Sequence, residues 1–224
     1  MEPCDLAVVG AGFAGLACAR AAAARGLDTV VLDRKDDPGA RPHTTGLLVK
    51  EVADALDPPA ALTRRIARIR LYAPSLRHVD LASPGYYFLA TDTAGLLRWL
   101  AASAREAGAR LRFSSPVRSI ARRRSRFTLA GVAARFVAGA DGRRSRVAGA
   151  AGLGRNASFL TGVEAEVEGA RGIDPRCLHC FLDSRLAPGY LAWVVPGVGG
   201  AQVGLACRPP HRPRRSRFPP LRRP

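Results

Sequence analysis

With 224 residues, the chain is long enough for one large domain or two small ones. Its apolar content of 47% supports a packed core and excludes an intrinsically disordered protein. No run of about 18 uninterrupted apolar residues occurs, so we predict no transmembrane helix. No signal-peptide pattern precedes the first apolar strand, and the five cysteines are an odd number for a disulfide framework, so we expect a cytoplasmic protein.

Basic residues dominate the charge, which is formally +17 at pH 7. Such an excess can indicate a nucleic-acid partner. Lysine contributes only Lys35 and Lys50 to the 35 basic residues, however, and arginine is spread throughout the chain. Residues 208–224 hold seven arginines, six prolines and no acid, and we predict that they form a disordered tail. This tail either binds an acidic partner or results from a misplaced reading frame. A basic nucleic-acid-binding protein is therefore only a remote alternative, and we expect no nucleic-acid partner.

The most informative stretch is Asp5–Gly15, with the sequence DLAVVGAGFAG. A short apolar strand over residues 6–9 leads into a Gly-x-Gly-x-x-Gly turn formed by Gly10, Ala11, Gly12, Phe13, Ala14 and Gly15. The first glycine permits a tight turn, the second lets a pyrophosphate approach the backbone, and the third lets a helix pack closely on the strand. An alanine-rich helix predicted from Phe13 to about Arg25 would direct its free N–H groups at the phosphates. The pattern predicts a dinucleotide site, and the alternative is a glycine-rich turn that binds nothing.

A second buried strand, predicted over residues 28–33, ends in an acidic residue. Asp33 is placed to accept hydrogen bonds from an adenosine ribose. Its charge disfavours a ribose 2′-phosphate, so the dinucleotide is expected to be FAD or NAD rather than NADP. Arg34 follows, and it either covers the adenine ring or is a solvated charge in a polar loop.

Residues 43–90 have a mixed pattern. Residues 47–56 form an amphipathic stretch, and the loop before it either lies near a flavin or caps a helix through Thr45. Short apolar alternations over about 62–90 predict a β excursion towards a substrate domain. The aromatic run Tyr86–Phe88 either lines an apolar pocket or belongs to the core.

The next segment combines a helix with a basic turn. Helical periodicity predicts a helix over 93–107, and a three-stranded meander follows with strands at 117–120, 127–129 and 133–137. The run Arg122–Arg126 falls at the first turn of this meander. It is either a patch for phosphates or a membrane, or a solvated turn.

A second glycine turn closes this part of the chain. Gly139-Ala-Asp-Gly142 follows a strand and precedes a helix N-terminus. Strands are then predicted over 160–168, 177–182, 190–195 and 202–207, mostly in an antiparallel sheet. The pair Cys177 and Cys180 has C-x-x-C form, but period-two alternation sends the side chains to opposite faces, so we predict no metal site.

Three stretches make the chain similar to the FAD-dependent oxidoreductases built like para-hydroxybenzoate hydroxylase, and most similar to their geranylgeranyl reductase-type branch. They are residues 5–15 with Asp33-Arg34, residues 139–147 and residues 189–205. The resemblance covers about residues 4–207. It implies an α/β fold, with a Rossmann-like, three-layer FAD-binding domain over 1–155 and an incomplete antiparallel β-sheet substrate domain over 156–207.

The resemblance also implies a cofactor and its site. FAD would be held by the glycine turn at residues 10–15 and by Asp33 and Arg34. Asp141 and Gly142 would close over the middle of the cofactor, and NAD(P)H would act as a transient reductant. The residues single out no catalytic side chain.

Several activities are compatible with this resemblance. The residues Tyr190–Pro196 favour a reductase that acts on a hydrophobic, isoprenoid-like substrate, and a monooxygenase that hydroxylates a small molecule is the alternative. The sequence has no Gly-Asp pair, the motif that holds the ribityl chain in this family, so an inactive, C-terminally truncated fragment is a further alternative. Peripheral contact with a membrane is compatible with each of these.

Overall fold

The computed structural model describes residues 1–154, 156–170 and 172–209, and it divides into two compact units. Unit 1 consists of Met1–Pro42 and Ala94–Ala157, and unit 2 of His43–Thr93 and Ser158–Pro224. The excursion expected at about 62–90 thus lies within the first segment of unit 2. Most of the predicted tail, residues 210–224, lies outside the described residues.

Strands predominate over helices in this structure, and a 3₁₀ turn at Ala60–Leu62 precedes the fourth strand. In chain order, the elements are β1 (Glu2–Val9), α1 (Phe13–Ala23), β2 (Thr29–Leu32), β3 (Leu47–Val49), α2 (Lys50–Leu56), β4 (Thr63–Ile66), β5 (Arg68–Tyr72), β6 (His78–Leu81), β7 (Phe88–Thr91), α3 (Thr93–Glu106), β8 (Arg110–Arg112), β9 (Ala121–Arg123), β10 (Arg126–Leu129), β11 (Val132–Gly139), α4 (Arg146–Ala150), β12 (Thr161–Glu168), β13 (Cys177–Phe181), β14 (Ala192–Pro196) and β15 (Gly200–Cys207).

Unit 1 is built on a six-stranded sheet with the order β8-β2-β1-β11-β10-β9. Strands β8, β2, β1 and β11 run parallel, while β11, β10 and β9 form an antiparallel meander. All four residues of β2 are buried, as expected for a parallel strand that is covered on both faces. This arrangement brings the carboxyl ends of β1, β2 and β11 to the same edge of the sheet.

The meander differs from its prediction at its first strand. β9 is Ala121–Arg123 rather than 117–120. The apolar side chains of Val117 and Ile120 still pack against the core of the sheet, although their backbone forms no strand. Burial therefore explains the apolar pattern that suggested a strand at 117–120.

Helix α1 packs against the turn that precedes it at very short range. A Cβ atom added at Gly15 would lie 1.8 Å from the carbonyl oxygen of Gly10, so only glycine fits there. Further along the helix, Leu16 and Ala19 are fully buried. The glycine at position 15 thus sets the distance between the helix and the sheet.

Unit 2 contains a six-stranded sheet with the order β12-β15-β14-β13-β5-β6 and a three-stranded sheet with the order β3-β7-β4. The large sheet is antiparallel except between β13 and β5. Its core includes Leu178, Cys180 and Val195, which cluster with Ile66 and Ala90. The predicted combination of a Rossmann-like parallel sheet with a largely antiparallel sheet is confirmed.

The amphipathic stretch at 47–56 is not one helix. Leu47–Val49 pairs with β7 as a strand, and the helix α2 starts only at Lys50 after Val49 as its N-cap. Thr45 therefore does not cap this helix. The alternative of a helix capped by Thr45 is therefore wrong, because a three-residue strand before a two-turn helix gives nearly the same apolar spacing as one longer helix.

The side chain of His179 is buried in β13. Tyr72 lies beside it, with 2.9 Å between the Tyr72 hydroxyl and His179 Nδ1, while Nε2 is buried with no hydrogen-bond partner among the described residues. Burial, and next the charge of Arg70, hold the pKa of His179 below its usual value of 6.5. The neutral imidazole is thus the form that the folded protein favours.

The close packing at Gly15 predicts that a larger residue at this position destabilises the fold, whereas a larger residue at Gly12 does not. In Gly15→Ala, the added methyl group forces the helix away from the turn, and we expect the free energy of unfolding to fall by about 1–3 kcal/mol. Gly12→Ser is the control, because a Cβ at Gly12 meets nothing within 4 Å and serine is a favoured N-cap. Urea denaturation measures both variants, and equal stability of the two would contradict the packing described here.

Burial of His179 predicts a pH dependence. Below about pH 6.5 the unfolded chain binds a proton that the folded chain resists, so His179 stabilises the fold above this pH and the contribution is lost as pH falls. We expect the free energy of unfolding to decrease more between pH 7.5 and pH 5.5 in the wild type than in His179→Gln. Chemical denaturation at the two pH values tests this, and parallel decreases would show that His179 takes no part.

Candidate functional site

The two glycine turns meet at one edge of the unit 1 sheet. Val9, the last residue of β1, pairs with Gly139, the last residue of β11, and the N–H of Ala140 donates to the carbonyl oxygen of Val9 at 2.8 Å. A Cβ at Gly10 would lie 2.3 Å from the carbonyl oxygen of Ala140, and Gly10 has a φ of +106°. The two turns thus contact each other backbone to backbone, which a larger residue at position 10 would prevent.

The N-terminus of α1 is available to an anion. No side chain caps the helix at Gly12, and its first turn contains no acidic residue. The first N–H groups of a helix have no intrahelical acceptor, and they carry the positive end of its dipole. Because a Cβ at Gly12 would point into open space, a phosphate group could approach the backbone there. Gly12 thus fits the part that the sequence pattern gives to the second glycine.

Asp33 joins the glycine turn to the end of β2. Its Oδ2 accepts a hydrogen bond from the N–H of Ala11 at 2.6 Å, and its Oδ1 accepts one from the N–H of Lys35 at 2.8 Å. An ionised carboxylate has further lone pairs, so these two contacts leave capacity for ribose hydroxyl groups. Asp33 is partly exposed beside the turn. The structure therefore adds a positioning role that the sequence pattern alone did not indicate.

Side-chain hydrogen bonds hold the polar loop that follows Asp33. Lys35 Nζ donates to the carbonyl oxygen of Ala40 at 2.6 Å, and Arg98 Nε lies 3.1 Å from both carboxylate oxygens of Asp37. The Arg98 guanidinium lowers the pKa of Asp37. Arg34 is exposed in this loop.

Asp141 organises the second glycine turn. Its Oδ1 accepts a hydrogen bond from the Ser145 hydroxyl at 2.5 Å, and its Oδ2 accepts from the N–H groups of Arg146 and Val147 at 2.6 and 3.3 Å. Gly142 has a φ of +85°, and a Cβ there would meet nothing within 4 Å. The Asp141 carboxylate therefore holds the turn together. Gly142 has no side chain, so the space beside its backbone is open.

The third stretch of the family pattern is the hairpin of β14 and β15 in unit 2. Trp193 pairs with Gly204, where an added Cβ would lie 2.3 Å from the indole ring. The indole Nε1 donates to Glu164 Oε2 at 3.0 Å. Gly204 thus provides the room that the Trp193 ring occupies, a pairing that could be found in the sequence only by aligning the two strands.

Two other predicted features of unit 2 have different surroundings. The Tyr86 and Tyr87 hydroxyl groups donate to Glu51 and Asp54 of α2, at 3.2 and 2.5 Å. These rings therefore bind the helix rather than line an apolar pocket. A separate cleft of about 300 Å³ is lined by Ile173 and Pro175 on one side and by Pro196 and Gly197 on another, with Arg64 at its wall.

The described residues contain neither a candidate metal site nor a helix that could span a membrane. Within them, no group of three or more His, Cys, Asp or Glu side chains is arranged to hold a metal ion. Cys177 and Cys180 lie in the regular strand β13 as free thiols. In the same part of the chain, every helix is too short or too polar to cross a bilayer.

The sequence of the chain is similar to those of known proteins. A family model described as DAO, FAD dependent oxidoreductase, matches residues 5–96. The chain is 30% identical over 220 residues to digeranylgeranylglycerophospholipid reductase 2 of Methanopyrus kandleri, a match that covers 91% of the chain and 54% of that protein. It is 30% identical over 228 residues to the digeranylgeranylglycerophospholipid reductase of Methanothrix thermoacetophila, covering 90% and 56%. The chain thus spans about half the length of the curated relatives it matches.

Solved structures share the fold. A geranylgeranyl bacteriochlorophyll reductase-like protein from Thermoplasma acidophilum matches with a TM-score of 0.81 and 25% identity over 92% of the chain and 57% of that protein. The p-nitrophenol 4-monooxygenase PnpA from Pseudomonas putida matches with a TM-score of 0.76 at 19% identity, over 95% of the chain and 60% of that protein, which shows a common fold alone. Together with the glycine turns, these matches confirm the predicted resemblance. Residues 5–96 thus match the FAD dependent oxidoreductase family, and the chain as a whole is similar to proteins of the geranylgeranyl reductase type.

Proposed function

We propose that the chain is the FAD-binding part, with part of the substrate domain, of a reductase that acts on a hydrophobic, isoprenoid-like substrate. The observation that carries the proposal is the open, uncapped N-terminus of α1 at Gly12 beside the carboxylate of Asp33. The names of the curated relatives, which are reductases of a digeranylgeranyl phospholipid, supply the substrate class.

In this proposal the residues of unit 1 divide the binding of FAD among them. The N–H groups at Gly12, Phe13 and Ala14 bind the pyrophosphate, since they lie at the uncapped end of the helix. Asp33 accepts hydrogen bonds from the adenosine ribose while it holds the turn through Ala11. Gly10 and Gly15 act indirectly, because they permit the close backbone contacts that fix the turn.

In the proposed site, the second glycine turn supports the binding of FAD. Asp141 holds its own turn through three hydrogen bonds, so that Gly142 is presented without a side chain next to the first turn. Arg34 is exposed beside Asp33, where its guanidinium can stack on the adenine. When bound, FAD supplies the hydride chemistry, with NAD(P)H as the transient reductant, and the protein contributes binding and orientation.

The open space at Gly12 predicts a loss of FAD affinity without a loss of stability. In Gly12→Ser the side chain fills the space that the pyrophosphate needs, and the hydroxyl competes for the helix N–H groups. Because one hydrogen bond to a charged group contributes about 1.5–3 kcal/mol, we expect FAD to bind at least about tenfold more weakly. Ala17→Ser is the control, because Ala17 is exposed on the same helix. Quenching of FAD fluorescence gives both affinities, and wild-type affinity in Gly12→Ser would contradict the assignment.

The substrate class is tested with the FAD-loaded chain and a chemical or NAD(P)H reductant under anaerobic conditions. We expect geranylgeraniol or a geranylgeranyl lipid to gain two hydrogens per reduced double bond, detected by mass spectrometry, and Gly12→Ser to reduce this yield. Incorporation of one oxygen atom in air, with no hydrogenation, would instead identify a monooxygenase. Bound FAD with neither product would contradict the reductase proposal while it leaves the cofactor assignment intact.

A further inference from the structure

The basic run at the first turn of the meander forms an exposed surface at the edge of unit 1. We define the arginine hairpin as Arg122–Arg126 together with Arg135 and Phe136. Arg122, Arg123 and Arg124 are exposed, and Phe136 keeps 57% of its surface accessible. The register that pairs Phe127 with Ala134 places the β9–β10 turn beside Arg135 and Phe136, which lie in the middle of β11. The Arg135 guanidinium lies 5.6 Å from the centroid of the Phe136 ring, and the exposed arginines of the turn continue this basic surface.

The arginine hairpin has very little acidic charge to balance it. The sequence from residue 107 to residue 140 contains no aspartate or glutamate. Arg135 pairs with Asp5 at 3.1 Å, and Arg126 donates to the carbonyl oxygens of Cys4 and Ala133. Among the residues that the structure describes, Arg122, Arg123 and Arg124 have no ion-pair partner. Arg122 also lies over the Phe127 ring, 5.8 Å from its centroid. The positive charges of these three exposed arginines are therefore not neutralised by a neighbouring acid within the part of the chain that the structure describes.

The backbone conformation at the turn of the arginine hairpin is also unfavourable for Arg124. Arg124 has a φ of +53°, in the left-handed region that glycine or asparagine adopts more easily. The neighbouring hairpin turn at residues 130–131 has the glycine that such a turn prefers, with φ of +80° at Gly131. An arginine at a position that favours glycine is a local cost to the fold, and it is consistent with a use for the charge.

We propose that the arginine hairpin docks on the surface of a membrane that contains anionic phospholipid. Arginines near such a surface bind lipid phosphates and are attracted by its negative potential, and an aromatic ring amid basic residues suits the boundary between headgroups and acyl chains. A nucleic acid also offers phosphates, but single-stranded binding uses aromatic platforms for successive bases, and this surface carries one exposed ring. The choice of a membrane rests on the proposed function, since an isoprenoid lipid substrate resides in a bilayer.

The test measures co-sedimentation of the full chain with vesicles of phosphatidylcholine alone or with 30% phosphatidylglycerol, without FAD. We expect binding only to the anionic vesicles, with weakening as salt rises. Each arginine contributes about fivefold to membrane affinity, so Arg122→Gln/Arg123→Gln/Arg124→Gly is expected to bind at least tenfold more weakly. Its matched control, Arg25→Gln/Arg41→Gly/Arg176→Gln, removes equal charge from exposed positions elsewhere, including Arg41 with a φ of +44°, and is expected to lose less than threefold.

A single variant separates docking from folding. Arg124→Gly relieves the unfavourable φ, so it is expected to keep or raise the melting temperature while it weakens vesicle binding severalfold. Equal binding by the wild type and the triple variant would overturn the proposal, as would absence of binding to anionic vesicles. Loss of affinity for a single-stranded RNA in the triple variant, without vesicle binding by the wild type, would assign the surface to nucleic acid instead. Because the measurement needs no FAD, its failure leaves the proposed function untouched.

Discussion

The close contact between the two glycine turns is the constraint on which unit 1 depends. Gly10 lies against the backbone of Ala140, and Gly15 lies against the carbonyl group of Gly10, at separations that leave no room for a side chain. These contacts bring the ends of β1 and β11 and the start of α1 to one point. The helix N-terminus is then exposed next to Asp33, and the proposed phosphate site follows from backbone packing before any ligand is considered.

Polar contacts around this point are mainly structural. Asp33 and Asp141 each use both carboxylate oxygens to hold a turn, through Ala11 and Lys35 in one case and through residues 145–147 in the other. Such hydrogen bonds to charged groups contribute about 1.5–3 kcal/mol each. An acid at either position therefore stabilises its turn, so its presence in the sequence has a structural reason in addition to the proposed ligand-binding one.

Features that depend on neighbouring residues in the chain could be predicted from the sequence, whereas pairings between distant segments could not. The glycine spacing, the acid after β2 and the positions of β12–β15 each depend on neighbours in the chain, and the structure has them close to where they were expected. The parallel pairing of β5 with β13 joins residues that are far apart in the sequence, and no local pattern encodes it. Strand β3 was not predicted for another reason. It has three residues, which are too few to distinguish strand alternation from a helical period.

The glycine turn with Asp33 is the proposed FAD site of this chain, which spans about half the length of its curated relatives. The most direct measurement is the visible absorption spectrum of the purified wild-type chain after incubation with FAD and desalting. We expect a retained flavin spectrum at about one FAD per chain. A folded but colourless protein would contradict it and would show that these turns alone do not hold the cofactor.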